Sequence, residues 1–545
     1  MNTKACAHWL WDASRGIRSR IVLSGASGVG YVCASLAFVW VSKRLVDIAT
    51  VKADGQVWQY ACLLAGCVVF QLYFSAAGSR LDLINAVRLK NSLRGRLFAC
   101  VMESRLTDRK GAHTGDTLNR MEEDTRVVVE ALTNALPSLL ATVVQLIAAF
   151  AFLLALQPSL AWMLAGIMPV ALLVSKLYLK RMRRLTGEIR ATEGQILSHV
   201  QEHLQHRTLI RTMEHTPRTL SVLDGMQAIL QRQVTHRTDF TLFSRTAVQA
   251  GFAAGYCVAF LWGIHGLMGG AVTFGMMTAF LQLVGQVQRP VVEMSRYIPS
   301  FVYAVTSVER LAELDRLPTE ERGEPVLLEG KAGIRLTGVD FAYPDARRRV
   351  ISGFSYDFRP GSLTALVGET GVGKSTLIRL MLALLTPDRG AVTIYNENRE
   401  VLVSPLTRCN LVYVPQGNTL LSGTIRDNLL LGNPLATDDE LNQALHTAVA
   451  EFVFDLPEGL DTRCGEGGEG LSEGQAQRIA IARGLLRPGG ILLLDEPTSS
   501  LDSETERTLL GRLAEVTAGK TVVLVTHRSE AAAACDDCVH LKRNQ

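Results

Sequence analysis

One stretch of this 545-residue chain has the composition of a phosphate cradle: "GETGVGKST", from Gly368 to Thr376. An apolar, β-branched run, "SLTALV", comes before it and the helix-forming "LIRLMLALL" comes after, so the glycine turn joins a strand to a helix N-terminus. In that context each residue type has a task. Gly368, Gly371 and Gly373 let backbone N–H groups turn inward around phosphate oxygens, with Glu369, Thr370 and Val372 completing the loop. Lys374 brings a positive charge to the β- and γ-phosphates, and the Ser375 hydroxyl, followed by Thr376, can ligate Mg²⁺. Further on, "GGILLLDEPTSSLD" has the apolar signature of a buried parallel strand and ends in Asp495 and Glu496. A carboxylate at the C-terminal edge of such a strand can hold Mg²⁺, and the next one can polarise an attacking water.

A third stretch, "EGLSEGQAQR", opens a helix-like run with an acidic residue in its first turn. Ser472 has the character of an N-cap, and Gln475 follows at capping-box spacing. Glu473 is then the first helical residue, where an anion gains about 0.3 to 1 kcal/mol from the helix dipole. A carboxylate held about 8 Å from a bound γ-phosphate would cost roughly 2 kcal/mol at an effective dielectric near 20. The expectation is therefore that Glu473 points to water, leaving Ser472 and the N–H of Gly474 open to phosphate.

The elements that must carry these residues fall into two parts. The hydrophobic fraction of 48 % and mean hydropathy of +0.18 are high for a soluble chain. The excess lies in apolar runs near 21–41, 57–78, 134–156, 159–179, 246–268 and 273–293, each close to the roughly 20 residues needed to cross a bilayer. The connections near 79–133 and 180–245 are rich in Arg and Lys, whereas "LQPS" and "GLMGGAV" carry no basic residue. The positive-inside rule then places both termini and both long connections in the cytoplasm. The apolar run after Arg15, Arg18 and Arg20 is longer than a signal-peptide core and is read as a retained span. A net charge of +4 is accounted for by these loops and gives no reason to invoke nucleic acid. Ten cysteines, several inside the spans, suit reduced packing residues better than a disulfide framework, and the Cys535/Cys538 C-x-x-C pair, lacking a second pair, is read the same way. Gln145, Gln282 and Gln286 are the polar span residues that could face a substrate or bond to neighbouring helices.

In order along the soluble half, "GETGVGKST", "VYVPQGNTLLSGTIRDNLLLG", "LSEGQAQRIAIARGLL", "ILLLDEPTSSLD" and "VLVTHR" resemble the ATP-binding cassette (ABC) transporters. The layout resembles an exporter-type half-transporter, in which one six-span domain precedes one nucleotide-binding domain. "GDTLNRMEEDT" and the segment "GEIRATEGQILSHVQEHLQHRTLIRTM" are similar to that family's two intracellular loops. The resemblance implies a membrane all-α six-helix domain over 1–315, a linker over 316–332 and an α/β P-loop NTPase domain of the ABC type over 333–545. It implies that Tyr343 stacks on adenine, Gln416 joins Mg²⁺ and water to the membrane-domain contact, His527 contacts the γ-phosphate and Asp502 communicates across a dimer. Asp495 with Ser375 and Gln416 would hold Mg²⁺, and Glu496 would be the general base. Ser472, Gly474 and Gln475 would close on the ATP of a partner chain. The family's signature usually reads LSGGQ, and here Glu473 replaces its first glycine. "CGEGGEG" before it also departs from the family pattern at Gly467, Gly468 and Glu469.

What the resemblance implies in function is ATP-driven transport across a membrane, most simply export of a lipid, drug-like compound or peptide. Uptake, for example of a metal chelate, is the alternative. The expected partners are a second half-transporter, as homodimer or heterodimer, and membrane lipids. The expected location is an integral multi-pass placement, in the cytoplasmic membrane if the host is bacterial.

Overall fold

The computed structural model describes residues 3–105, 114–156, 158–343, 348–369, 371–465, 470–516 and 519–541. Contacts divide the chain into two units, Met1–Phe98 with Gly115–Asp315, and Ala99–Thr114 with Arg316–Gln545.

The first unit is helical: α1 (Thr3–Ala13), α2 (Arg18–Ala49), α3 (Val57–Met102), α4 (Thr114–Asn119), α5 (Thr125–Glu130), α6 (Leu136–Leu156), α7 (Pro158–Gln205), α8 (Arg207–Thr212), α9 (Thr216–Met268) and α10 (Phe274–Asp315). Helices α4 to α6 run on as one rod through π-helical turns at Arg120–Asp124 and Ala131–Ala135. Among the described residues, α2, α3, the Asp116–Leu156 rod and α9 are long and apolar enough to cross a membrane. The apolar stretch of α10, Phe274–Val287, is shorter. The span expected at 159–179 falls in α7, and of its side chains only that of Trp162 is among those described.

Packing in this unit gathers Val39 of α2, Ala149 and Leu153 of α6, and Phe280, Leu283 and Val284 of α10 into a dry core. Outward, Val69, Phe70, Leu72 and Tyr73 of α3 and Ile147 of α6 are exposed. An apolar surface of that extent is costly in water and suits lipid. Within the bundle, Gln286 Nε2 donates to Ser35 Oγ at 2.9 Å, and Gln71 Nε2 donates to the Ala34 carbonyl at 3.3 Å. The Gln286 Oε1 atom is buried without a hydrogen-bond partner among the described residues.

The second unit is built on two larger sheets. β1 (Gly333–Phe341), β2 (Ile351–Phe358), β4 (Arg389–Tyr395) and β5 (Glu400–Leu402) pair antiparallel in the order β2-β1-β4-β5. β3 (Leu363–Val367), β6 (Leu411–Val414), β9 (Ile491–Asp495), β10 (Thr521–Thr526) and β11 (Asp537–His540) form a parallel sheet in the order β11-β3-β10-β9-β6. A two-stranded ribbon joins β7 (Gly423–Thr424) to β8 (Arg463–Cys464). The helices of this unit are α11 (Lys374–Met381), α12 (Ile425–Leu430), α13 (Asp438–Thr447), α14 (Glu473–Leu486), α15 (Ser503–Val516) and α16 (Ser529–Ala533).

The inner parallel strands are continuous apolar runs because both sheet faces are covered. Leu492, Leu494, Val522 and Leu524 join one core with Ile479, Ile481 and Leu509. Their neighbours Ile491, Leu493, Val523 and Val525 join the other, with Ile334, Phe358, Leu377 and Ile378. This two-residue alternation leaves the carboxyl ends of β3, β6, β9 and β10 along one edge, where a doubly covered parallel sheet places its ligands.

Candidate functional site

The loops leaving that edge carry most of the residues singled out in the sequence. Gly368 to Gly373 follow β3, Gln416 follows β6, Glu496 follows β9 and His527 follows β10. A cleft of about 290 Å³ is lined by Tyr343, Gly371, Lys374, Ser375, Gln416, Asp495 and Glu496 among others. Thr370 lies outside the described residues, as do Gly467, Gly468 and Glu469.

The loop geometry accounts for its glycines. Gly371 and Gly373 have φ of +82° and +112°, a region that side chains rarely adopt. A Cβ on Gly373 would also lie 2.9 Å from both Ile351 and Val350 side chains. Gly373 caps α11 without a side-chain hydrogen bond, so the helix N-terminus presents free N–H groups. Val372 is buried in the core beneath the loop, and the Glu369 carbonyl accepts its N–H at 3.3 Å. Lys374, only 8 % exposed, is held over the turn by hydrogen bonds to the carbonyls of Gly368 (2.6 Å) and Glu369 (3.2 Å). This cradle of amides and one ammonium fits a polyphosphate.

The acidic side of the cleft fits a hard divalent cation. Asp495 bonds to Ser375 and, at 3.4 Å, accepts from the Tyr413 hydroxyl. Hydroxyl, carboxylate and amide oxygens from Ser375, Asp495 and Gln416 are the ligand types Mg²⁺ prefers. Burial pushes the Asp495 carboxyl above its ordinary range, and the neighbouring Glu496 charge adds to this against the Ser375 and Tyr413 hydrogen bonds. Burial likewise pushes Tyr413 up to about 12, reinforced by the Asp495 charge.

Glu496 is gripped from several directions. Its backbone adopts φ of +48°. Its N–H donates to the Val525 carbonyl at 3.0 Å, and its own carbonyl accepts from Gln477 Nε2 at 3.0 Å and Ser499 Oγ at 3.1 Å. Its carboxylate then accepts from Gln416 Nε2 at 2.8 Å on one oxygen and faces His527 Nδ1 at 3.4 Å on the other. Tyr343, expected as an adenine platform, is half-buried; its hydroxyl lies 3.0 Å from Thr376 Oγ1, and its ring packs edge-on against Phe341.

The remaining predicted residues do not line this cleft. Ser472 caps α14: its side chain accepts from the Gln475 N–H at 3.2 Å, and Gln475 Oε1 accepts from the Ser472 N–H at 2.9 Å. That is the reciprocal pair expected from the spacing, with Glu473 as the first helical residue and exposed. Gly474 is sterically required, because a Cβ there would come within 2.8 Å of the Ser500 carbonyl. Asp502 caps the start of α15 by accepting from the N–H groups of Glu504 and Thr505, and the Thr505 bonds hold its carboxyl below the usual range.

Two positions carry weight that the motif reading did not assign. Gln477, fully buried on α14, donates to the Glu496 carbonyl and accepts from Ser500 Oγ at 2.9 Å, linking α14 to the loop that follows β9. Tyr413 braces Asp495 from β6. Both lie inside quoted motifs, but only their three-dimensional neighbours reveal the role.

Fold and site together define a helical membrane domain carrying a P-loop nucleotide-binding cassette. The chain belongs to the ABC transporters and has the architecture of an exporter-type half-transporter: the family model "ABC transporter transmembrane region" matches residues 21–291, and the model "ABC transporter" matches residues 351–499. An uncharacterised ABC transporter ATP-binding protein of Sinorhizobium fredii is 28 % identical over 524 residues, covering 93 % of this chain and 88 % of the relative. The leukotoxin translocation ATP-binding protein of Mannheimia haemolytica is 28 % identical over 489 residues, covering 88 % of this chain and 68 % of that one. A bacterial Atm1-family ABC exporter solved with ATP bound shares the fold, with a TM-score of 0.81 at 23 % identity over 97 % of this chain and 94 % of that one.

Proposed function

We propose that this chain hydrolyses ATP with Glu496 as general base and uses the cycle to move a substrate out across a membrane, working as a homodimer. The observation that carries this is the convergence of Lys374, Ser375, Asp495, Glu496 and Gln416 on one cleft, with His527 facing Glu496. Lys374 and the loop amides bind the phosphates of ATP. Ser375, Asp495 and Gln416 would hold Mg²⁺, which screens phosphate charge. Glu496 accepts the proton of the attacking water, oriented by Gln416, while His527 stands beside it on the γ-phosphate side. Tyr343 offers its ring to the adenine. Ser472 and the Gly474 N–H face the ATP of the partner chain, with Asp502 at the same seam.

Export is favoured by the exporter-type layout and by a relative named for leukotoxin translocation. In the membrane unit the Oε1 of Gln286, buried and without a partner among the described residues, is a candidate acceptor for a substrate hydrogen bond, with Gln282 one turn away. The distribution of basic residues between the loops supports both termini lying on the cytoplasmic side, in the cytoplasmic membrane if the host is bacterial.

Glu496→Gln separates binding from chemistry. The variant is expected to bind ATP with Mg²⁺ as tightly as the wild type while its turnover falls by about 10²-fold or more, the scale of a lost general base. Equilibrium nucleotide binding and steady-state phosphate release measure the two. Undiminished hydrolysis would remove Glu496 from the mechanism.

A further inference from the structure

The segment "CDDCVH", Cys535 to His540, has no part in the reading above, and the structure gives its two cysteines different surroundings. Cys535 is half-buried, packs against the core cluster that contains α14, and donates to the Ala531 carbonyl at 3.3 Å. Val539 on β11 packs against the opposite core, so strand alternation turns Cys538 and His540 to the same sheet face as Cys535. Cys538 is exposed at the sheet edge, with Sγ 3.7 Å from His540 Nε2. Burial pushes the Cys535 thiol up to about 11, and Cys538 adds to the effect. One thiol is thus open to solvent beside an imidazole, while its neighbour stays protonated.

The residues between and after these cysteines hold the strand that delivers the phosphate loop. Asp536 Oδ2 accepts from the Leu363 N–H at 2.8 Å, and the Asp536 N–H donates to the Leu363 carbonyl at 2.8 Å. At the other end of β3, the Leu541 N–H donates to the Val367 carbonyl at 2.8 Å. The Leu541 carbonyl lies 2.8 Å from where a Cβ on Gly368 would stand. Residues 536–541 therefore clasp β3 at its start and at the first glycine of the loop.

We propose that Cys538 and Cys535 form a peroxide-responsive dithiol whose closure into a disulfide disturbs this clasp and weakens nucleotide binding. The Cys538 thiol passes its proton to His540 Nε2, and its sulfur attacks one oxygen of hydrogen peroxide. The O–O bond breaks, a sulfenic acid forms and the other oxygen leaves as water with a proton. The Cys535 sulfur then attacks the Cys538 sulfur and displaces the sulfenic oxygen as a second water, which carries away the Cys535 proton. Two thiols are oxidised and one peroxide is reduced to two waters. A disulfide spanning only Asp536 and Asp537 requires the narrow Cα separation of such bonds and competes with the Asp536 bonds to Leu363.

The test uses the full chain in lipid nanodiscs, titrated with hydrogen peroxide, digested without reduction and mapped by mass spectrometry. The peptide with both cysteines is expected to lose the mass of two hydrogens and to regain it with dithiothreitol. Cys535→Ser should instead accumulate a dimedone adduct at Cys538, and His540→Ala should form the disulfide several-fold more slowly. Affinity for a fluorescent ATP analogue should fall several-fold in the oxidised wild type and recover on reduction. The proposal is overturned if Cys538 stays reduced at doses that oxidise glutathione added to the same sample, if His540→Ala reacts at the wild-type rate, or if oxidation leaves affinity unchanged. A reduced protein that binds no analogue at all would instead defeat the ATP reading.

Discussion

Glu496 occupies a left-handed backbone conformation that costs a non-glycine residue on the order of 1–3 kcal/mol. The hydrogen bonds to Val525, Gln477 and Ser499 offset that cost and aim the carboxylate between Gln416 and His527. Gln477 is the least obvious of these supports. Gln477→Leu removes the amide bond to the Glu496 carbonyl, which then keeps only its Ser499 bonds, and takes from the Ser500 hydroxyl its Gln477 acceptor, a loss of about 1–3 kcal/mol. The expected result is a lowered melting temperature and a fall in kcat with little change in KM for ATP; an unchanged kcat would show that Gln477 only packs. Asp495 yields a pH prediction. Its carboxyl is raised by burial, so it disfavours folding while ionised, and this cost is relieved as pH falls through the raised value. Because Mg²⁺ needs the ionised form, the Mg²⁺-dependent part of ATP affinity should decline at a pH above the ordinary aspartate range near 3.9. Binding titrations with and without EDTA at stepped pH measure it, and a Mg²⁺ increment constant down to pH 4 would contradict the assignment.

At the scale of elements, the signature helix α14 explains how an acidic residue is accommodated there. The Ser472–Gln475 capping box starts the helix at Glu473, which faces solvent, and it is Gly474 that meets the Ser500 backbone. Glu473→Gly should therefore leave ATPase activity within about twofold while removing a dipole contribution of about 0.3 to 1 kcal/mol. Ser472→Ala should cost about 1 kcal/mol of domain stability through the lost cap. Differential scanning calorimetry beside phosphate-release assays checks both, and a large activity gain in Glu473→Gly would mean that the carboxylate does reach the phosphate. Much of this element was legible in sequence, because capping, the glycine loop and apolar strands are local patterns. The left-handed Glu496, the Gln477 bridge and the His540 imidazole beside Cys538 were not, since each depends on residues brought together by sheet order or strand alternation. In the membrane unit, hydropathy located the long helices, but the Gln286 bond to Ser35, which leaves its Oε1 without a partner among the described residues, depends on helices packed side by side.

At the scale of the whole molecule, one chain holds a phosphate cleft and a signature helix whose cap residues do not line that cleft. Two copies supply each cleft with the missing cap in the proposed scheme, and Glu473 bears on whether this chain suffices for both halves. The most direct measurement is Mg²⁺-dependent ATPase activity of the chain purified alone in lipid nanodiscs, beside Glu496→Gln and Glu473→Gly. The account predicts robust activity in the wild type and in Glu473→Gly, and its loss in Glu496→Gln. A wild-type chain that is inactive alone, and that gains activity only with Glu473→Gly or a second, different half-transporter, would contradict the homodimer with a working signature.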